Sequence, residues 1–156
     1  MRSPDMHRTG VRKGFSSPGP VYDSDRTGRV EIWKISRSGG EPVQVTRNGG
    51  SNAFESPDGR CLYYDRDRHV WRMALNGGPD EQLFESLVNW TSLYMGSRHM
   101  YFVRGDSGVR GYGTDIYSYD LASGRIRRVM ETGYPVVTLA ASPDERHLIY
   151  GPPNAV

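Results

Sequence analysis

Few of the reactive side chains in this sequence stand at a spacing that a reaction requires. Residues 105–108 read Gly-Asp-Ser-Gly, which places a serine beside backbone amides that could stabilise an oxyanion. Val109 and Arg110 follow in place of a second glycine and a proline, and no Gly-x-Ser-x-Gly nucleophile elbow occurs in the sequence. We therefore expect no catalytic residue in this chain and classify it as a non-enzyme.

A calcium-like spacing is also incomplete. Asp23, Asp25 and Gly28 imitate the start of a calcium loop, but Lys34 stands where an EF-hand loop needs its bidentate glutamate. The four histidines share no metal-ligand spacing, and they are His7, His69, His99 and His147. With Cys61 as the single cysteine, we expect no metal site, no cofactor and no internal disulfide.

Two short motifs match known signals by their letters alone. Residues 104–106 form an Arg-Gly-Asp tripeptide, and Asn89-Trp90-Thr91 fits a glycosylation acceptor. Three residues match often by chance, and Trp90 has the character of a buried strand residue. We interpret both motifs as accidental.

The composition excludes several function classes. The chain has 156 residues and a formal net charge of +2, which is too small to indicate direct nucleic-acid binding. No apolar run approaches a membrane span, and the basic start of the sequence is not followed by the apolar stretch of a secretory signal. All basic side chains except Lys13 and Lys34 are arginine or histidine, and we expect the arginines on solvated faces.

The elements that could position any site form a repeated β unit, clearest in residues 55–78. The unit contains a Ser-Pro-Asp-Gly turn, an apolar strand, a charged turn, a second apolar strand and a Gly-Gly turn. We predict repeats over residues 16–50, 51–86, 87–133 and 134–151. Residues 1–15 are expected to be a disordered basic tail, and residues 152–156 a second tail.

Certain positions recur from one repeat to the next. We expect structural roles for the recurring strand aromatics Trp33, Trp71 and Tyr117, and for the recurring turn residues Pro57, Asp58, Gly59, Pro143 and Asp144. The aromatics are expected to pack between neighbouring repeats, with a ligand-stacking stripe as the alternative.

One segment is ambiguous between helix and strand. Residues 79–90 have apolar side chains at helical spacing behind a proline, which is typical of a helix start. The repeat register instead places Leu83 and Phe84 in the last strand of the second unit. We follow the register and predict a strand.

A period of about 40 residues with four short strands is typical of propeller blades. We predict an all-β, β-propeller-type fold with about three four-stranded antiparallel blades and a partial fourth, which is an incomplete propeller. Such a fragment would leave strand edges open to self-association.

These motifs resemble the WD-like β-propeller repeats of TolB and of the propeller domains attached to prolyl oligopeptidase-type serine peptidases. The Asp-Arg-Thr-Gly turn at residues 25–28, the Glu-Ile-Trp-Lys strand and the following Gly-Gly turns are also similar to propellers fused to bacterial winged-helix regulators. The resemblance covers about residues 16–150.

The resemblance implies a non-catalytic scaffold that presents loops, among them residues 105–114, to a protein or peptide partner. Two alternatives remain: a substrate-gating propeller of a serine peptidase whose catalytic domain lies outside this chain, and the sensor propeller of a transcriptional regulator. Relatives of this kind are often periplasmic, but the sequence itself leaves the compartment undecided.

Overall fold

In the computed structural model, residues 20–85, 93–104 and 113–152 are described. All of their regular structure is β, which confirms the all-β prediction. Thirteen strands lie in these ranges: β1 Val21–Ser24, β2 Glu31–Lys34, β3 Val43–Gln44, β4 Ser51–Glu55, β5 Cys61–Arg66, β6 His69–Ala74, β7 Asp80–Glu85, β8 Leu93–Met95, β9 His99–Arg104, β10 Gly113–Asp120, β11 Ile126–Val136, β12 Thr138–Ala141 and β13 Leu148–Gly151.

The strands form four antiparallel sheets in chain order. The first sheet is β1-β2-β3, the second β4-β5-β6-β7, the third β8-β9-β10-β11 and the fourth β12-β13. Each strand pairs with its neighbour in sequence, so every sheet is a simple meander. The segment that was ambiguous between helix and strand is β7 as far as Glu85, and its remaining residues lie outside the described ranges.

Three apolar clusters lie between successive sheets. The cluster between the first two sheets contains Ile32, Leu62, Tyr64 and Met73. The cluster between the second and third contains Tyr63, Val70, Phe84, Leu93, Met100, Phe102 and Tyr119. The cluster between the third and fourth contains Tyr101, Val103, Ile116, Val136, Leu139 and Ala141.

Strand β5 shows how one strand serves two clusters. Leu62 and Tyr64 belong to the cluster shared with the first sheet, while Tyr63 belongs to the cluster shared with the third. Successive side chains of a strand point to opposite faces, so a strand buried on both faces has consecutive apolar residues. This pattern shows that the sheets are stacked face to face.

The Ser-Pro-Asp-Gly turn before β5 is held by its own side chains. The Ser56 hydroxyl donates to Asp58 Oδ1 at 2.5 Å and accepts the Cys61 N–H at 2.9 Å. Gly59 has φ +68°, a conformation that glycine adopts without strain. Pro57 and Gly59 thus complete a turn whose polar groups are satisfied locally.

The turn before β13 repeats these contacts. The Ser142 hydroxyl donates to Asp144 Oδ1 at 2.6 Å and accepts the His147 N–H at 3.0 Å, with Pro143 between the serine and the aspartate. Glu145 stands where the earlier turn has glycine, and its φ is +57°. A glutamate in this conformation is strained, which indicates that its side chain has another role.

The three recurring aromatics are all partly buried. Trp71 packs against the cluster between the first two sheets, and Tyr117 against the cluster between the second and third. In each case a guanidinium lies over the ring, and the distances from its carbon to the ring centroid are 4.4 Å for Arg26 and Trp33, 3.5 Å for Arg66 and Trp71, and 5.6 Å for Arg104 and Tyr117. These three arginines therefore form cation–π contacts with the aromatics.

Two predicted strands differ in length from the observed ones. Residues 42–46 alternate apolar and polar side chains, which predicts a strand, but they form one only at Val43–Gln44. Beyond Gln44 the Val45 and Thr46 N–H groups both donate to the Ile32 carbonyl, at 2.8 and 3.4 Å, so the regular ladder ends. The repeat pattern predicts a strand at residues 126–130, but β11 continues to Val136. A bulge in β11 lies between Glu131, which pairs with Asp115, and Val136, which pairs with Gly113.

Trp71→Ala tests the inter-sheet packing. We expect the free energy of unfolding to fall by about 3 kcal/mol, because the indole contacts the cluster, carries Arg66 on its face and donates to the Arg66 carbonyl at 3.2 Å. Urea titration followed by circular dichroism measures the change. Val43→Ala is the control, since Val43 is 65% exposed, and an equal loss in both variants would contradict a packing role for Trp71.

Candidate functional site

A groove of about 450 Å³ opens between the first and second sheets. Its walls are the hairpins β1-β2 and β5-β6, and its base is the segment that joins β3 to β4. Its lining consists of Arg29, Val30, Asn48, Gly49, Gly50, Ser51, Asp65, Arg66 and Asp67. Most of these side chains are polar or charged, so the groove differs from the apolar clusters behind it.

Glu31 holds the base of the groove in place. Glu31 is the first residue of β2 and is only 3% exposed. The Thr46 hydroxyl donates to Glu31 Oε2 at 2.6 Å, and the Gly49 N–H lies 3.0 Å from both carboxylate oxygens. The Thr46 hydroxyl also accepts the Ile32 N–H at 2.9 Å, so the buried polar groups of this segment are connected in one network.

Two glycines allow the base to run close to the strands. Gly49 has φ +93°, and a Cβ on Gly50 would lie 3.1 Å from Ile32 and from Tyr64. A larger residue at Gly50 would have to displace the buried cluster between the first two sheets. The Gly-Gly pair is therefore a requirement of this close approach as well as a turn signal.

Asp65 ends the buried part of β5 and lines the groove. Its Oδ1 is buried and has no hydrogen-bond partner among the described residues. Burial raises the pKa of Asp65 to about 6; a hydrogen bond with Asn52 opposes this shift, and the nearby charge of Asp23 adds to it. Asp65 is thus a carboxylate whose ionisation the folded protein resists.

Asn52 connects the two aspartates. It lies in a bulge of β4 with φ +52°, and its N–H donates to Asp23 Oδ2 at 3.1 Å. Burial raises the pKa of Asp23 as well, although the Asn52 hydrogen bond partly offsets the shift. Two acids from adjacent sheets therefore meet beside a strained asparagine.

The neighbouring cations do not neutralise Asp65. Arg66 forms an ion pair with Asp80 and lies on the Trp71 ring. Arg29 lies on the opposite wall and forms no ion pair within the described part of the chain. The charged side chains that the groove itself exposes are Asp67 on one wall and Arg29 on the other.

A second polar constellation joins the third and fourth sheets. The Glu145 side chain is 2% exposed, with Oε2 2.7 Å from His99 Nδ1, while Asp120 Oδ2 lies 3.5 Å from the other ring nitrogen. The Arg98 N–H and the Ser97 hydroxyl donate to Glu145 Oε1 at 2.7 and 2.8 Å. Glu145 thus anchors the turn between β12 and β13 to the turn between β8 and β9 through several hydrogen bonds. These bonds explain why its strained backbone is retained.

The earlier candidate motifs have mixed outcomes. The Gly-Asp-Ser-Gly segment, most of the 105–114 loop, the acceptor at Asn89, and the predicted tails except Pro152 lie outside the described residues. The calcium-like segment is a hairpin turn in which the Gly28 N–H donates to the Asp25 carbonyl at 2.7 Å. Among the described residues, no group of three His, Cys, Asp or Glu side chains could hold a metal ion.

Sequence reasoning did not identify Glu31, Asp65 or Glu145. A signal was present for Asp65, because the dipeptide Tyr22-Asp23 recurs as Tyr64-Asp65 at equivalent places in the first two repeats. The partners of Glu31 and Glu145 are distant in sequence and carried no comparable signal.

Comparison with solved structures decides the fold. A solved structure from Agrobacterium tumefaciens, assigned as TolB, matches 86% of this chain with a TM-score of 0.62 and 20% identity. The tricorn protease matches 90% with a TM-score of 0.64 and 16% identity, and a nidogen/laminin complex matches 78% with a TM-score of 0.58 and 14% identity. The fold is an incomplete β-propeller. The four sheets are its blades.

The likeness is one of fold. No protein-family model and no curated protein matches this sequence. The chain spans 55% of the TolB structure, 48% of the matched chain in the nidogen/laminin complex and 14% of the tricorn protease. The described residues contain no helix long and apolar enough to cross a membrane.

Thr46→Val tests the network under the groove. We expect a loss of about 1–3 kcal/mol in the free energy of unfolding, because the Ile32 N–H and the Glu31 carboxylate would each lose a buried partner. Urea titration measures the loss. Thr27→Val is the matched control, since the Thr27 hydroxyl is exposed and makes one long contact of 3.5 Å. A Thr46 variant as stable as the control would contradict the network.

Glu145→Gln tests the anchor between the third and fourth blades. Burial alone would raise the pKa of Glu145, but the bonds from Arg98, His99 and Ser97 outweigh it and lower the pKa to about 2. The stabilisation is therefore complete above the unfolded value of about 4.5 and is lost as pH falls towards 2, amounting to at most about 3 kcal/mol.

The measurement is the pH dependence of unfolding for both proteins. The wild-type protein should lose more stability than Glu145→Gln between pH 5 and pH 2, and Glu41→Gln should behave as wild type because Glu41 is exposed. Parallel pH curves for wild type and Glu145→Gln would show that the anchor contributes nothing.

Proposed function

We propose that this chain is a non-catalytic propeller scaffold that binds a protein or peptide in the groove between its first two blades. The observation that carries the proposal is that the polar groups in the base of the groove are satisfied by one another, whereas charged groups in its walls are not. The base is rigid, since Glu31, Thr46 and Gly49 satisfy one another, whereas the exposed Arg29 and Asp67 line the groove and form no ion pair within the described chain. A rigid surface with unpaired polar groups favours binding.

The dimensions of the groove support a peptide segment as the ligand. Its volume of about 450 Å³ accommodates a few side chains, and the mixture of charges suits an extended chain with polar groups of both signs. The similar nidogen/laminin structure is a complex between proteins. That likeness shows no partner for this chain, but it agrees with protein recognition by this fold.

A second candidate is an accessory propeller of a peptidase. The specific observation in its favour is the match of 90% of this chain to the tricorn protease, of which it covers 14%. In this role the groove would hold part of a substrate, while catalysis would occur elsewhere. A hydrolase with a Gly-x-Ser-x-Gly elbow in the flanking coding sequence would favour this candidate, and a winged helix would favour the regulator alternative.

Self-association is a separate outcome that the surface permits. Val43 on β3 and Ile149 on β13 are 65% and 68% exposed, and both strands lie at the edges of their sheets. Light scattering therefore accompanies every binding measurement.

Asn48→Trp tests the groove as the binding site. Peptides selected from a random displayed library on the immobilised full chain are measured by fluorescence anisotropy with each variant. We expect Asn48→Trp to weaken binding at least tenfold, because Asn48 is exposed and lines the groove. Asn76→Trp is the matched control, since Asn76 is also exposed and also precedes a Gly-Gly pair.

Two results would contradict the proposal. One is a library from which no peptide is enriched on the folded chain. The other is enrichment of peptides whose affinity for Asn48→Trp equals their affinity for Asn76→Trp.

A further inference from the structure

We propose that two copies of this chain associate head to tail, so that the free face of the first sheet of each copy packs on the free face of the fourth sheet of the other. The inference goes beyond the proposed function and does not depend on it, because the groove lies between the first and second sheets. Its basis is a pair of side-chain arrangements that recur from sheet to sheet and pack on each other inside the chain.

The first arrangement is a cross-strand pair of aromatic side chains with an arginine over it, on the face that meets the preceding sheet. On the second sheet Tyr64 pairs with Trp71, and the guanidinium carbon of Arg66 lies 5.9 Å and 3.5 Å from the two ring centroids. We call this arrangement the arginine-capped pair. Its other copies are Phe102, Tyr117 and Arg104 on the third sheet and Tyr22, Trp33 and Arg26 on the first.

The second arrangement is a cross-strand pair on the opposite face, between the first two strands of a sheet. We call it the leading pair. In the second and third sheets it packs in the cluster shared with the following sheet. The leading pairs are Phe54–Tyr63 on the second sheet, Tyr94–Tyr101 on the third and Ala140–Ile149 on the fourth.

The cluster between the second and third sheets shows that the two arrangements fit each other. Tyr63 and Phe54 enter it from the leading pair of the second sheet, and Phe102 and Tyr117 enter it from the arginine-capped pair of the third. Tyr63 is 3% exposed and Phe102 is 1% exposed. Packing of a leading pair on an arginine-capped pair therefore removes apolar surface from water and stabilises the contact between two sheets.

The arginine-capped pair of the first sheet has no preceding sheet within the described ranges. Ile32 packs on the second sheet, and alternation along β2 turns Trp33 and its cross-strand partner Tyr22 to the other side. Tyr22 and Trp33 are partly exposed and Arg26 is exposed, whereas Tyr64 at the place of Tyr22 in the second sheet is buried. This aromatic face is therefore free to pack on a further sheet.

The leading pair of the fourth sheet is free in the same way. Leu139 and Ala141 face the third sheet, so alternation along β12 turns Ala140 and its partner Ile149 to the other side. Ile149 is 68% exposed, whereas Tyr101, which holds the same place in the third sheet, is 6% exposed. An apolar side chain exposed at a position that is otherwise buried between sheets indicates a surface for another sheet.

A second copy of the chain supplies the partner of both faces. In one chain the first and fourth sheets share none of the apolar clusters that the described residues form, so the two free faces do not meet. The chain spans 55% of the TolB structure and 48% of the matched chain in the nidogen/laminin complex, so two copies amount to about one propeller. A head-to-tail contact that spans half a ring closes after two copies, which gives two identical contacts.

The experiment is sedimentation velocity of the full chain over a concentration series, with Ile149→Arg as the test variant. We expect the wild-type protein to sediment as a pair at about 0.1 mM, where a contact of micromolar affinity is saturated. Ile149→Arg should raise the dissociation constant about tenfold or more, because its charge would lose water on pairing and would approach Arg26 of the other copy.

Val43→Arg is the matched control. Val43 is 65% exposed and also lies on an edge strand, but it pairs with Lys34 and so points away from the face that carries Trp33. This variant should pair as tightly as the wild-type protein.

Trp33→Arg blocks the opposite face and permits a mixing experiment. It should also be monomeric. Mixed with Ile149→Arg, it leaves one intact first-sheet face and one intact fourth-sheet face, so the two variants should form a mixed pair that neither forms alone. Circular dichroism checks the fold of each variant. Ile149→Arg replaces an exposed side chain and tests the inference even if Trp33→Arg were unfolded.

Three results would overturn the inference. One is a wild-type chain that remains a monomer at about 0.1 mM, where a contact of micromolar affinity would be saturated. Another is an Ile149→Arg variant that pairs as tightly as Val43→Arg, because the contact would then lie elsewhere. The third is wild-type species larger than a pair, because the two contacts would then not close on each other.

Discussion

The second and third sheets of this protein each have two apolar faces, and they cover these faces by stacking on a neighbouring sheet at either side. Tyr63 and Tyr64 are consecutive, yet they belong to clusters on opposite sides of β5. A two-sided sheet in water would expose too much apolar surface to remain folded alone. Stacking is therefore the constraint from which the order of the sheets, the position of their hairpins and the groove between them all follow.

Two acids of the first inter-blade region show how differently buried carboxylates can be used. Glu31 is buried and its oxygens are occupied by Thr46 and Gly49, so it stabilises the chain segment around it. Asp65 is mostly buried with one oxygen unpartnered, and Asp23 adds like charge. The first arrangement holds the base of the groove, and the second keeps a carboxylate buried at a cost to the folded state.

The local features of the fold could be predicted from the sequence because they depend on neighbouring residues. The Ser-Pro-Asp turns at Asp58 and Asp144 contain the groups that hold them. The lengths of strands were less predictable. The strand predicted at residues 42–46 ends at Gln44, since Thr46 turns inward to Glu31, and no pattern within that strand predicts this contact.

The sequence by itself determined the fold class: β-type alternation, turn chemistry and a period of about 40 residues are short-range properties. Only the tertiary structure decided the candidate site. Asp23 and Asn52 are 29 residues apart and meet because two sheets stack, and Glu145 reaches its donors across more than 40 positions. Burial and pKa depend on such distant neighbours, so the chemistry of Asp65 emerges only once the blades are assembled.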